Sequence, residues 1–246
     1  MAMSTERIQL NSPLKWLKQG WADFVRHPVP GLAHGLALAL FGWLLIAVAH
    51  DRFWLLAGAF SGFMVVAPIL TSGLYVISRN SAVGSPADLS AVFKLWRSFD
   101  RRLVIFGLLL NLAGTGWVLT SAAMITALAP VPIQSPVDFL RHVVLQPDVG
   151  LFEAWLLVGG LLAAPVFASS VVAIPMLVDT DSSVRDAVMT SWRAVGAYPV
   201  PLALWATLIM VLVGAGMLTG LLGLIIAVPW LAHASWHAYV DLTAAP

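Results

Sequence analysis

Two histidines and an aspartate are the residues whose types and spacing invite chemistry. In Pro229-Trp-Leu-Ala-His-Ala-Ser-Trp-His-Ala-Tyr-Val-Asp241, His233, His237 and Asp241 recur every four positions, which places them on one face of a helix. Two imidazoles one turn apart are a familiar pair of metal ligands, and a carboxylate one turn further can complete the set or orient a ring. Copper and haem are the cofactors such a set would take. His34 lies about one turn inside the first apolar segment, where it could face His233 from another helix as a second axial haem ligand. The structural alternative is the expected one: His, Trp and Tyr are natural residues of a membrane interface, and the imidazoles would then bond backbone groups freed near Pro229 or face headgroups.

Nothing else in the chain resembles a reaction centre. Cysteine is absent, which removes disulfides, zinc thiolates, iron–sulfur clusters and a CxxCH haem attachment. There is neither a GxxxxGK[ST] loop nor a GxGxxG after a strand. No catalytic residue is singled out, and the reading points away from an enzyme.

The elements that must position these side chains follow from composition. Across 246 residues, 60% are hydrophobic and only 10% charged, less than half the charged share of an ordinary soluble domain, roughly a quarter. Mean hydropathy is +0.89. The solvent for this surface is a lipid bilayer. A net charge of +1 offers no dense basic patch for nucleic acid. A crossing helix needs about 20 apolar residues, and six such spans are expected: Val29 to Ala49, Phe53 to Ile77, Leu103 to Leu128, Ala154 to Val178, Pro199 to Leu218 and Gly220 to Tyr239. The last two share one uncharged run from Ala194 to Val240, too long for a single crossing. Its expected turn is Met217-Leu218-Thr219-Gly220, where glycines weaken the helix and a threonine can bond locally. No signal peptide is read at the amino end.

Eleven of the 13 Lys and Arg residues fall on one side of this arrangement; Arg52 and Arg141 are the exceptions. Basic residues collect in cytoplasmic loops, so both termini are expected in the cytoplasm, with Pro130 to Gly150 as the one sizeable loop on the far side. Carboxylates lie at span ends rather than mid-membrane, unlike those of proton-coupled pumps.

The chain also repeats itself. Trp21-Ala-Asp-Phe-Val-Arg-His-Pro-Val-Pro30 and Trp192-Arg-Ala-Val-Gly-Ala-Tyr-Pro-Val-Pro201 share W-x6-P-V-P, each before a span, and Phe93 to Arg102 is a weaker third copy. The even-numbered spans carry Pro68, Pro175 and Pro229 in matching contexts. Each proline frees the carbonyl four residues earlier, at Met64, Val171 and Ile225. The expected architecture is therefore all-α: one membrane domain over residues 1–246, with six transmembrane helices as three hairpins, in repeat units 13–79, 87–179 and 182–241. A cytoplasmic amphipathic helix precedes each hairpin. In the first of these, Leu14, Leu17, Trp21 and Phe24 share a face flanked by Lys15, Lys18 and Arg26, as suits interfacial anchoring beside anionic lipid.

The ending from Pro229 to Tyr239 resembles the closing signature of the domain of unknown function 2189 family of bacterial predicted integral membrane proteins. Gly62 to Pro68 with Gly73-Leu-Tyr-Val-Ile-Ser-Arg79 is similar to its second-span pattern, and Ile174 to Asp179 followed by Ala187 to Ser191 to its fourth-span exit. An acidic residue often follows the Gly-Leu-Tyr tyrosine in that family; Val76 stands there in this chain. The resemblance implies a bacterial inner-membrane protein without an assigned activity. Some members are labelled as resembling cytochrome c oxidase subunit I, which points to respiratory complexes as company, although a haem–copper core and its ligand histidines do not map onto six spans. The expected function is that of a non-catalytic accessory or assembly partner of a membrane complex. The alternative is a small transporter or channel for a lipid or apolar solute, and a haem or metal carrier comes after both. Oligomeric state is not fixed by these residues.

Overall fold

The structure, a computed structural model, describes residues 8–49, 70–145 and 150–244. All regular structure among them is helical: α1 (Ser12–Arg26), α2 (Pro28–Ala49), α3 (Ser72–Ala82), α4 (Leu89–Arg97), α5 (Arg101–Leu128), α6 (Pro136–Phe139) with a π-helical turn (Leu140–Val144), α7 (Leu151–Ser170), α8 (Ala173–Asp179), α9 (Val184–Ala197), α10 (Pro199–Leu218) and α11 (Leu224–Ala244). Among the described residues, four stretches are long and apolar enough to cross a bilayer: Pro28–Val48, Arg101–Leu128, Leu151–Asp179 and Pro199–Leu218. The expected span from Phe53 lies outside the described residues as far as Pro68 and Ile69. The expected fourth span is two helices, broken at Val171 and Val172, where the Val172 N–H donates to Ser191 Oγ at 3.1 Å. At the expected sixth lies the helix Leu224–Ala244, which is not among those four stretches; it begins after Gly220 because the turn past Leu218 runs on through Gly220 and Leu221, both at positive φ. Thr219 Oγ1 holds that turn, accepting from the Gly223 N–H at 2.7 Å.

Two corners show how local chemistry sets direction. A residue before proline is pushed out of the helical region, and proline is favoured at the first position of a helix. Accordingly α1 stops at His27 (φ −126°, ψ 63°) and α9 at Tyr198 (φ −130°, ψ 57°). Each donates its N–H to the carbonyl four residues back at 2.9 Å, and α2 and α10 start on Pro28 and Pro199. The two W-x6-P-V-P copies thus make the same bend. The third corner lacks proline and turns through Ser98 and Phe99; Asp100 then caps α5, its Oδ1 accepting the Arg102 N–H at 2.8 Å.

The chain divides into two compact units. In the first, drawn from Met1–Leu40, Pro68–Phe106 and Phe167–Pro246, the short helices α3 and α8 and the long α11 pack against one another pairwise. Every residue of α3 from Ser72 to Ser78 is buried, as expected of a helix with neighbours all round. Around this inner trio, α1 packs on α11, α4 on α3 and α9 on α8.

Helices α1 and α11 approach backbone to backbone: a Cβ at Gly20 would lie 2.6 Å from Ala234 Cα. This contact corrects the expected membrane-facing surface of α1. Its buried face is Trp16, Leu17, Gly20 and Phe24, turned into the protein, while Leu14 and Trp21 stay 57% and 43% exposed. Gly35 of α2 sits equally close to α11, where a Cβ would lie 2.7 Å from Ile225 Cα. Ile225 is the residue whose carbonyl Pro229 leaves without its helical donor, so backbone meets backbone where the ladder is open.

The second unit, Phe41–Ala67 with Gly107–Val166, has a small apolar core of Ile125, Ile133, Val143 and Leu151, with Phe139 and Trp155 packed against it. Trp155 Nε1 donates to Ser121 Oγ at 2.7 Å, and a Cβ at Gly159 would meet the Trp117 ring at 2.9 Å. The expected far-side loop is therefore partly ordered by α6, whose first turn is capped by Ser135 Oγ accepting from the Asp138 N–H at 3.1 Å.

Candidate functional site

The histidines lie in a polar junction of the first unit where α1, α3 and α11 meet. His233 is fully buried; its Nδ1 and Ser78 Oγ are 2.8 Å apart. Ser78 Oγ also lies near enough the Asp23 carboxylate to help stabilise its charge, and His237 Nε2 lies 2.9 Å from Asp23 Oδ2. An ionised carboxylate only accepts, so His237 donates to it. Because His233 Nε2 is buried without a partner among the described residues, a proton there would be stranded, which favours the tautomer with Nδ1–H donating to Ser78 Oγ. His233, Ser78, Asp23 and His237 thus form one polar cluster. Burial raises the Asp23 carboxyl, but the His237 and Ser78 hydrogen bonds and the attraction of the nearby imidazoles outweigh it and hold the group below its ordinary value.

His34 repeats the pattern from α2: its Nδ1 donates to the Pro30 carbonyl at 2.8 Å. Both His34 Nε2 and His233 Nε2 are buried without a hydrogen-bond partner among the described residues. These two nitrogens retain a free lone pair, with the opposite ring nitrogen fixed by a protein acceptor.

The face expected to carry a metal does not converge. His233 points to Ser78 and His237 to Asp23. Asp241 is taken by α1, its Oδ2 accepting from Trp16 Nε1 at 2.8 Å with Lys15 Nζ at 3.5 Å. No group of three or more His, Asp or Glu side chains able to hold a metal ion occurs among the described residues. Nor do His233 and His237 take carbonyls freed near Pro229, as the structural alternative had it; their partners are side chains on other helices.

Sequence reasoning overlooks the rest of the junction. Tyr239 donates to Asp179 Oδ2 at 2.8 Å, joining α11 to the end of α8. The last carbonyls of α8 lack intrahelical donors, and two arginines supply them. Arg79 reaches the Val178 carbonyl at 3.0 Å, while Arg102 reaches those of Thr180 and Ser182 at 2.8 and 2.9 Å and that of Leu177 at 3.2 Å. Arg102 is held in turn by Asp100 at 2.7 Å, whose carboxyl is lowered by that hydrogen bond. One signal for Asp23 exists in the sequence: it occupies the repeat position filled by Ala194 in the other W-x6-P-V-P copy, an acid where the repeat needs none.

A family described as "Predicted integral membrane protein (DUF2189)" matches residues 55–179. No curated protein and no solved structure matches the chain.

Proposed function

Since this chain belongs to the DUF2189 family of predicted integral membrane proteins, we propose that it is a non-catalytic inner-membrane protein that accompanies or helps assemble another membrane complex, with respiratory complexes the first to examine. The observation that carries this reading is the closed centre of the first unit. α3, α8 and α11 pack on one another, their buried side chains include Leu74, Ile77, Ile174, Leu177 and Leu231, and their polar groups engage one another. That is the construction of a rigid scaffold. The outer helices α5 and α10 leave broad apolar surface exposed, which suits lipid or the spans of a partner.

The topology that goes with this function is six crossings in three related hairpins, with both termini in the bacterial cytoplasm. The matching bends at His27 and Tyr198 support the repeat, as does the packing order in which each short helix lies on the inner helix of the unit before it, with α1 on that of the last. Because the chain has no cysteine, single substitutions report topology cleanly. Ser135→Cys should be labelled from outside the cell and Thr243→Cys from the cytoplasm; the reverse would overturn the orientation. Purification in mild detergent tests the function. A stable membrane-protein partner is expected, whereas flux of a lipid or apolar solute by the protein alone in liposomes would establish a transporter instead.

A further inference from the structure

The side of α4 turned away from α3 is largely exposed among the described residues, with Trp96 touching the His34 ring at its edge, and is built from two kinds of residue. Phe93 and Trp96 are 52% and 44% exposed, and Phe99, just past the helix, is 80% exposed. Phe99 holds φ at +44°, a left-handed conformation that is costly for a bulky side chain and here projects an aromatic ring outward. Lys94, Arg97 and Arg101 are exposed beside them, and no described carboxylate pairs with any of the three. Ser90, Phe93, Lys94, Arg97 and Ser98 line an open depression of about 620 Å³, which sets two cations beside an aromatic ring; the two hydroxyls donate to Asp88 and to the Leu95 carbonyl.

Position decides what meets this surface. α5, long and apolar enough to cross a bilayer, starts at Arg101, four residues after α4 ends. The patch therefore sits at the plane where that helix enters the membrane. Aromatic rings favour headgroup depth, and uncommitted Lys and Arg there attract anionic lipid. Ammonium and guanidinium donors are suited to phosphate oxygens.

We propose that this depression is a binding site for the phosphate headgroup of an anionic glycerophospholipid, with Lys94 and Arg97 on the phosphate and Phe93, Trp96 and Phe99 among the upper acyl carbons. The proposal extends the membrane-protein reading and is independent of whether the protein has a partner complex.

The test is native mass spectrometry of the full chain in mild detergent, titrated with phosphatidylglycerol, phosphatidylcholine and inorganic phosphate. Phosphatidylglycerol adducts should form at the lowest concentration. Removing a basic residue from an anionic lipid surface costs about fivefold, so the Lys94→Gln, Arg97→Gln double variant should bind phosphatidylglycerol about 25-fold more weakly. Phe99→Ser should weaken lipid binding with every charge in place, and Arg141→Gln, at an exposed position in the expected far-side loop, should leave it unchanged. Helicity by circular dichroism verifies that each variant is folded. Equal binding of the two lipids, an unchanged double variant, or displacement of the lipid by millimolar phosphate would each overturn the proposal.

Discussion

Replacing Gly20 by alanine puts one methyl group where the structure has no room for it. In a helix interior the change is favourable by up to about 1 kcal/mol through propensity alone. At Gly20, however, the new carbon would stand 2.6 Å from Ala234 Cα and 2.7 Å from its Cβ. Those atoms belong to the backbone and first carbon of α11, so no rotamer change relieves the contact, and α1 must move outward. Overpacking costs about 1–3 kcal/mol. The displacement also strains the Trp16 to Asp241 bond and the 2.7 Å bond from Trp230 Nε1 to the Leu17 carbonyl, each of which contributes about 1 kcal/mol. A net loss of about 2 kcal/mol or more is expected, on the order of a thirtyfold fall in the folded-to-unfolded ratio. Gly196 in α9 is the control, since a Cβ there meets nothing within 4 Å; Gly196→Ala should be neutral or stabilising. Thermal unfolding in detergent, with limited proteolysis to detect release of α1, compares the two. Gly20→Ala matching or exceeding the wild type in stability would refute the packing argument.

Ser78→Ala should strand His233 Nδ1–H in a buried site at a cost of about 1–3 kcal/mol, and His233→Leu in the same chain should recover part of the loss; a double-mutant cycle on thermal stability measures the coupling. The Asp23 carboxyl is lowered on folding, so its stabilising contribution is complete above the ordinary carboxylate range and disappears as pH falls through the lowered value. Asp23→Asn should accordingly flatten the acid limb of a stability–pH profile. Purified wild-type protein grown with ample iron and copper is expected to be colourless and metal-free, because His237 and Asp241 are committed to Asp23 and Trp16; a Soret band or bound metal that vanishes in a His34→Ala, His233→Ala variant would assign the two bare Nε2 atoms as ligands instead.

The membrane-spanning helical character is legible in the sequence because it rests on counting apolar residues, and the proline corners are legible because proline acts on its immediate neighbour. The burial of α1 is not. Leu14, Leu17, Trp21 and Phe24 make a plausible lipid face, and only the position of Ala234 shows that Gly20, with no side chain to signal anything, marks the contact. For the junction, helical spacing aligns His233, His237 and Asp241 correctly on α11, but spacing within one helix says nothing about acceptors brought by others. Ser78 and Asp23 decide what the imidazoles do, and they lie 155 and 214 residues away in sequence from the histidines they bond. Arg79 and Arg102 count toward topology when read as charges; their service to the α8 carbonyls depends on where α8 ends, at Asp179, whereas the break before α8 at Val171 and Val172 falls where Pro175 opens the ladder.

The packing of α1 on α11 has a consequence for the timing of synthesis. Trp16 and Asp241 are bonded across 225 positions, so at about 5–20 residues per second the first helix leaves the ribosome roughly ten to forty-five seconds before its partner exists. During that interval the Asp241 acceptor of Trp16, the His237 partner of Asp23 and the Ala234 backbone against Gly20 do not yet exist, while the later short helices α4 and α9 find α3 and α8 already made. The unit can close only when its carboxyl-terminal helix arrives, and a chain cut short before Leu224 would leave α1 open to proteases however well its earlier segments had inserted.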